Sequence, residues 1–180
     1  VDVIDKIKKI RMILSDVDGV LTDGGIIYDN QSVESKKFHV RDGLGIKLWR
    51  MSGGMFGIVT ARESEIVKQR AAELKIEIVC QGSENKAEQA LAIVQQHGLM
   101  LDEVCYIGDD LTDLPLLRKV GLAACVSDAA EELVSEVDLV TDRPGGYGAV
   151  RELIETVLKG QDRWQDVLQV YLEHAEGKSQ

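Results

Sequence analysis

No apolar run in the 180-residue chain approaches the roughly 20 residues that a membrane-crossing helix needs. A signal-peptide core is also missing. Val1 to Lys9 alternates charged with apolar residues, so a cytoplasmic location is the expectation. Positive charge is in short supply: 21 Lys and Arg against 31 Asp and Glu leave a net charge of −10, which argues against nucleic acid or an anionic membrane as partner. Carboxylates gathered to hold a divalent cation would add to the same balance. There are only three cysteines, and no CxxC pair among them. Cys80, Cys105 and Cys125 each lie in or beside an apolar run, as buried reduced thiols do, rather than in a metal site or disulfide framework. His39, His97 and His174 have no metal-ligand spacing. With two prolines, no Pro/Ser linker and no internal repeat, the chain reads as one domain with a full hydrophobic core.

What is present is an alternation. Met12 to Leu14, Phe56 to Val59, Ile76 to Val79, Val104 to Ile107 and Leu122 to Val126 read as buried strands. Between them, Gly43–Met51, Glu63–Leu74, Lys86–His97 and Leu114–Val120 read as helices. This rhythm predicts an α/β fold, a Rossmann-like doubly wound parallel sheet with its ligand site along the edge where the strands end. One segment breaks it. Gly25 to Tyr28 and Ser35 to His39 flank the turn-forming Asp29-Asn30-Gln31-Ser32 and predict a projecting β-hairpin. A lone hairpin is marginal in water, so it is expected to pack on something, such as another subunit. Gln161 to Glu173 reads as a short helix, followed by a polar, flexible end from Ala175 to Gln180.

The sharpest local signal is Ile13-Leu14-Ser15-Asp16-Val17-Asp18-Gly19-Val20-Leu21-Thr22, a strand running straight into two carboxylates. Two like charges this close raise each other's energy, which a cation or phosphoryl-transfer site would offset. A solvated turn is the plainer reading of Asp and Gly at a strand end. Three further strand ends weigh against it. Phe56 to Val59 leads into Thr60, Ala61 and Arg62; Gln81-Gly82-Ser83-Glu84-Asn85 leads into Lys86; Val104 to Ile107 leads into Gly108-Asp109-Asp110, with Asp113 beyond. In a parallel sheet these ends converge on one edge.

These four segments resemble the motifs of the haloacid dehalogenase superfamily. His39 to Gly45, Val59 to Arg62, Gln81 to Lys86 and Gly145 to Glu152 narrow the likeness. The whole set resembles the bacterial 3-deoxy-D-manno-octulosonate 8-phosphate phosphatases and their nonulosonate 9-phosphate relatives. The likeness covers roughly residues 8 to 160. Ala61 and Tyr147 depart from it, standing where that family often has Gly and Arg.

The resemblance implies a Mg²⁺-dependent phosphatase acting on a keto-sugar acid phosphate through an aspartyl-phosphate, with no separate cap domain. The phosphatase domain is expected over 1–160, and a C-terminal helix and tail over 161–180. Asp16 is the implied nucleophile and Asp18 the acid and base; Thr60 and Lys86 hold the phosphoryl group. Asp16, Asp109 and the backbone carbonyl of Asp18 are the implied metal ligands, with Asp110 a ligand directly or through water and Asp113 a brace for the loop. Val40, Arg41, Asp42, Gly43, Lys47, Arg62 and Arg70 are implied to lie near the substrate, the last two as partners for a sugar carboxylate. Between Asp18 and Thr60 there is room for a hairpin and a helix but no folded lid. A neighbouring subunit is therefore expected to cover the site, as in the homotetramers of this family. A receiver-like signalling module, a non-catalytic phosphate-binding or scaffold protein, and a phosphomutase remain as rivals.

Overall fold

The computed structural model describes residues 2–177, and its elements follow the strand-helix alternation of the sequence. In chain order the strands are β1 (Met12–Ser15), the short pair β2 (Ile27–Tyr28) and β3 (Glu34–Ser35), β4 (Met55–Val59), β5 (Ile78–Cys80), β6 (Val104–Gly108), β7 (Leu122–Cys125) and β8 (Leu139–Val140). Six of them form one sheet in the order β5-β4-β1-β6-β7-β8, with every pairing parallel. The helices are α1 (Val3–Lys9), α2 (Val40–Met51), α3 (Glu65–Glu73), α4 (Lys86–Gln96), α5 (Leu114–Leu117), α6 (Glu131–Val134), α7 (Ala149–Gly160) and α8 (Trp164–Ala175).

Side chains alternate along a strand, so each strand serves two cores. Ile13, Phe56, Ile58, Cys105 and Ile107 face one layer, with Ile7 of α1, Ile46 and Trp49 of α2, Val67 of α3, Val157 of α7 and Val167 of α8. Met12, Leu14, Val59, Val104 and Tyr106 face the other, with Ala90 and Val94 of α4 and Leu116 of α5. The doubly wound α/β architecture is thus the one expected. Between Asp18 and Thr60 the chain forms only the hairpin, α2 and β4, so no cap domain is inserted.

Several boundaries differ from expectation. Strand β5 begins at Ile78 rather than Ile76, because Ile76 N–H still donates to Ala71 at the end of α3 (2.8 Å), after Lys75 turns through φ 56°. Each hairpin strand has only two residues. Asp29 Oδ1 ties the turn by accepting from Gln31 and Val33 N–H, both at 2.8 Å, while Lys36 and Phe38 leave the strand to pack on the body. Helix α2 starts three residues early, at Val40, because His39 Nδ1 caps it by accepting from Arg41 N–H (3.3 Å). Strand β8 and helices α1, α6 and α7 were not expected. Helix α7 carries a clear apolar stripe of Val150, Leu153, Ile154, Val157 and Leu158, all buried. The helix expected over Gln161–Glu173 is α8. Its entry is tied down by Gln161 Nε2, which donates to the carbonyls of Ile7 (2.9 Å) and Ile10 (2.7 Å), and by Arg163, which donates to Ser52. Of the polar end, residues 178–180 lie outside the described residues. All three cysteines are free; Cys105 and Cys125 are buried and Cys80 is only half-buried.

Candidate active site

Register places the acidic groups. Ser15, the last residue of β1, is level with Ile58 of β4 and Ile107 of β6, and Asp16 N–H extends the ladder to Ile107 O (3.1 Å). Asp16 therefore emerges from the central strand, and Thr60 and Asp109 emerge one step further on from its two neighbours. Thr60 is held by its own N–H to Cys80 O (2.9 Å) and by Ser83 N–H to its carbonyl (3.1 Å). That second bond fixes the loop leading to Lys86, the first residue of α4, whose N-cap is Asn85.

Lys86 is the electrostatic centre. Its Nζ, 4% exposed as a residue, donates to Asp16 Oδ2 at 2.7 Å and to Asp113 Oδ1 at 2.6 Å. Burial pulls its pKa down, but the two carboxylates outweigh that and hold it above the ordinary lysine value. Asp113, fully buried, is completely used up: Oδ1 also accepts from Tyr106 Oη (2.5 Å), and Oδ2 from the backbone N–H of Asp109 (2.9 Å) and Asp110 (3.3 Å). It braces the loop after β6, as expected, and also ties that loop to α4.

Carboxylate oxygens of Asp16, Asp109 and Asp113 lie within 4.8 Å of one another. Among the described residues no hydrogen-bond donor reaches the Asp109 carboxylate. Burial, then Asp113 and Asp16, push its pKa up to about 7. Burial, then Asp113, raise that of Asp16 too, against the pull of Lys86. One lysine among three carboxylates leaves an excess of negative charge, carried on oxygen. That donor set fits a hard divalent cation such as Mg²⁺, with Asp16 and Asp109 as the carboxylates available to hold it. Asp110 lies apart, exposed, its Oδ1 accepting from Leu111 N–H (2.7 Å).

Two glycines make this close packing possible. Gly19 has φ +89°, and a Cβ there would sit 1.9 Å from Asp109 Oδ2. A Cβ on Gly145 would sit 1.7 Å from Gly19 O. The Gly145-Gly146 turn, with Gly146 N–H donating to Val20 O (2.9 Å), seats the start of α7 against the acidic loop.

Asp18 turns away from the carboxylate cluster. Its Oδ1 accepts from Lys36 of the hairpin arm, and its Oδ2 is 3.8 Å from Arg62 Nε. Arg62 Nη2 also donates to Glu34 Oε1 (2.8 Å) and to Tyr28 Oη (3.3 Å). The other residues expected near substrate do not gather beside Asp16 within this chain. Val40, Gly43, Lys47 and Arg70 share an open groove of about 640 Å³ whose lining includes none of the acidic cluster. Arg41 lines another, with Arg143 and Arg151. Asp42 is buried and lines neither groove. Its Oδ1 accepts from Arg151 N–H (2.7 Å), Oδ2 has no hydrogen-bond partner among the described residues, and burial raises its pKa. Tyr147 is half exposed, its hydroxyl 3.1 Å from Lys37 Nζ.

Sequence reasoning missed Glu34, Lys36 and Tyr106. Tyr106 lies inside an apolar strand, where nothing in the local pattern marks a hydrogen bond to an acid. Glu34 and Lys36 sit on alternate positions of a hairpin, where charged residues ordinarily face water.

A parallel sheet whose central strand ends in a buried, lysine-linked aspartate, with a second acidic loop on the neighbouring strand, defines a haloacid dehalogenase-like hydrolase without a cap. Residues 76–153 match the haloacid dehalogenase-like hydrolase family model. The chain is 39% identical to the 3-deoxy-D-manno-octulosonate 8-phosphate phosphatase KdsC of Escherichia coli (strain K12), over 99% of this chain and 90% of that protein. The Moraxella catarrhalis 3-deoxy-D-manno-octulosonate 8-phosphate phosphatase, solved with a magnesium ion, a phosphate ion and KDO, is 37% identical. It superposes with a TM-score of 0.91 over 94% of this chain and 97% of that one. A cobalt-bound Haemophilus influenzae relative, the deoxy-D-mannose-octulosonate 8-phosphate phosphatase, gives 0.86 at 36% identity, over 88% and 93%. The chain belongs to the 3-deoxy-D-manno-octulosonate 8-phosphate phosphatase family.

Proposed function

We propose that the protein is a Mg²⁺-dependent phosphatase of a keto-sugar acid phosphate, 3-deoxy-D-manno-octulosonate 8-phosphate, acting in the cytoplasm. The observation that carries the reading is the buried Lys86 bridge between Asp16 and Asp113, beside an Asp109 carboxylate that has no donor among the described residues. Asp16 attacks phosphorus, and the bond to the sugar oxygen breaks with its electron pair on that oxygen. Asp18 gives the oxygen a proton. Water then loses a proton to Asp18 and attacks the aspartyl-phosphate, returning Asp16 and free phosphate. Thr60 and Lys86 hold the equatorial oxygens. A bound magnesium ion, held by Asp16, Asp109 and the Asp18 carbonyl, supplies the positive charge that lets a carboxylate approach a phosphate.

A homotetramer, with a neighbour covering the site, accords with two observations. Ile26, Ile27, Tyr28 and Val33 on the hairpin are each more than half exposed. The grooves that carry Arg41, Lys47 and Arg70 are open and set apart from Asp16, so a second copy could bring its own arginine to the substrate carboxylate. Light scattering should give the mass of four chains; the mass of one would end that part of the proposal.

Phosphate release with Mg²⁺ tests the function, comparing 3-deoxy-D-manno-octulosonate 8-phosphate with N-acylneuraminate 9-phosphate. Release should favour the eight-carbon substrate, vanish in Asp16→Ala, and fall at least about 10²-fold in Asp18→Asn. Undiminished release by Asp16→Ala would refute the mechanism, and preference for the nine-carbon substrate would reassign it.

A further inference from the structure

Lys36 is a lysine that has been taken out of water. Its side chain is 1% exposed, although it comes from the arm of a short, largely exposed hairpin. A buried ammonium is tolerated only when paired, and both of its partners are acidic: Asp18 Oδ1 in a direct contact, and Glu34 Oε1 at 3.4 Å. Glu34 is itself fixed on both oxygens. Oε1 accepts from Arg62 at 2.8 Å, and Oε2 from Ser64 Oγ at 2.7 Å. Ser64 N–H in turn donates to Gln81 Oε1 at 2.7 Å, on the loop that leads to Lys86. A continuous polar chain thus runs from the phosphate-holding loop, through the start of α3 and the hairpin, to one carboxylate oxygen of Asp18.

We propose that Lys36 is a positioning residue for the known reaction, holding Asp18 so that its carboxyl group meets the leaving oxygen. The inference rests on the roles given above to Asp16 and Asp18. When the P–O bond breaks, the electron pair goes to the sugar oxygen, which becomes a strongly basic alkoxide unless Asp18 delivers its proton. A mispositioned Asp18 therefore slows departure of an alkoxide. It has little effect on nitrophenolate, a weak base that leaves with no proton at all. This dependence on leaving group separates positioning of the acid from a general loss of structure, which would slow both.

The test is rapid-quench measurement of single-turnover phosphorylation in Lys36→Met and Lys36→Arg, with the octulosonate phosphate and with p-nitrophenyl phosphate. In Lys36→Met the rate with the sugar phosphate should fall about 10²-fold and with the nitrophenyl ester less than about 5-fold, while the steady-state KM, measured alongside, changes little. Lys36→Arg should recover at least about tenfold of the sugar-phosphate loss. If Lys36→Met does not fold, Glu34→Gln removes the second anchor and should show the same leaving-group selectivity at smaller size. Equal losses on both substrates, or none on either, would overturn the proposal. If the wild type cleaves nitrophenyl phosphate but not the octulosonate ester, the substrate reading fails. The comparison is then made with another alkyl phosphate that the enzyme cleaves.

Discussion

Replacing Gly19 by Ala adds one methyl group at the tightest point of the acidic loop. Two costs follow, and they can be measured separately. The residue holds φ +89°, in the region that L side chains rarely adopt. For Ala that conformation costs roughly 1–2 kcal/mol, which in a chain of this size lowers Tm by about 2–8 °C. The second cost is local. The new Cβ would lie 1.9 Å from Asp109 Oδ2, 2.5 Å from Cγ and 3.1 Å from Oδ1, so the carboxylate must move by about 1.5 Å to relieve the overlap. Ligand distances at a metal tolerate only about 0.2 Å, so Mg²⁺ affinity should fall by about 10- to 100-fold. Calorimetric titration of Mg²⁺ into each protein reads the second cost, and thermal melts without metal read the first. A Gly19→Ala protein that binds Mg²⁺ within twofold of wild type would refute the placement of Asp109 against this glycine.

Lys86→Met should leave Asp16 and Asp113 buried without their shared cation, and lower metal-free stability by about 3–5 kcal/mol in denaturant melts. A loss below 1 kcal/mol would show that the bridge carries little. Binding of Mg²⁺ must displace the proton that Asp109 holds below its pKa of about 7. Affinity should therefore fall about tenfold per pH unit below that value and level off above it. The same shift acts on stability with the opposite sense. Between 3.8, the ordinary value, and about 7 the metal-free fold binds this proton more tightly than the unfolded chain does. Its contribution to stability is therefore lost as pH rises through that window. Melts from pH 5 to 8 should show the decline without Mg²⁺ and a smaller one at saturating Mg²⁺; equal slopes would count against the assignment.

Much of this was legible because the relevant signals are local. Each strand that carries Asp16, Thr60 or Asp109 is a short apolar run ending in a polar residue, and a parallel sheet brings such ends together whatever lies between them. Lys86 could be placed because it opens a helix. Pairing across long separations was not legible. Lys36 meets Asp18 only because the hairpin arm folds back, and no periodicity records that. Asp113 was visible as a brace, but its bond to Tyr106 depends on which face of β6 the tyrosine takes. Strand β8 has two residues, too few for any period to show. Helix α7 is the instructive omission. Its stripe of Val150, Leu153, Ile154, Val157 and Leu158 has helical spacing in the sequence, but the two glycines of the Gly145-Gly146 turn and Gly148 directly before it read as loop.

Adjacent strands in any sheet stand about 4.8 Å apart, a distance set by the peptide hydrogen bond rather than by side chains. Asp16, Thr60 and Asp109 grow from three neighbouring strands, so that repeat serves as their ruler. Substitutions in either apolar layer can alter how firmly the ruler is held but not its graduations. New substrates in this lineage must therefore come from the segments that leave the sheet, above all the hairpin and the arginine-bearing helices, while the phosphorus-handling centre keeps its dimensions.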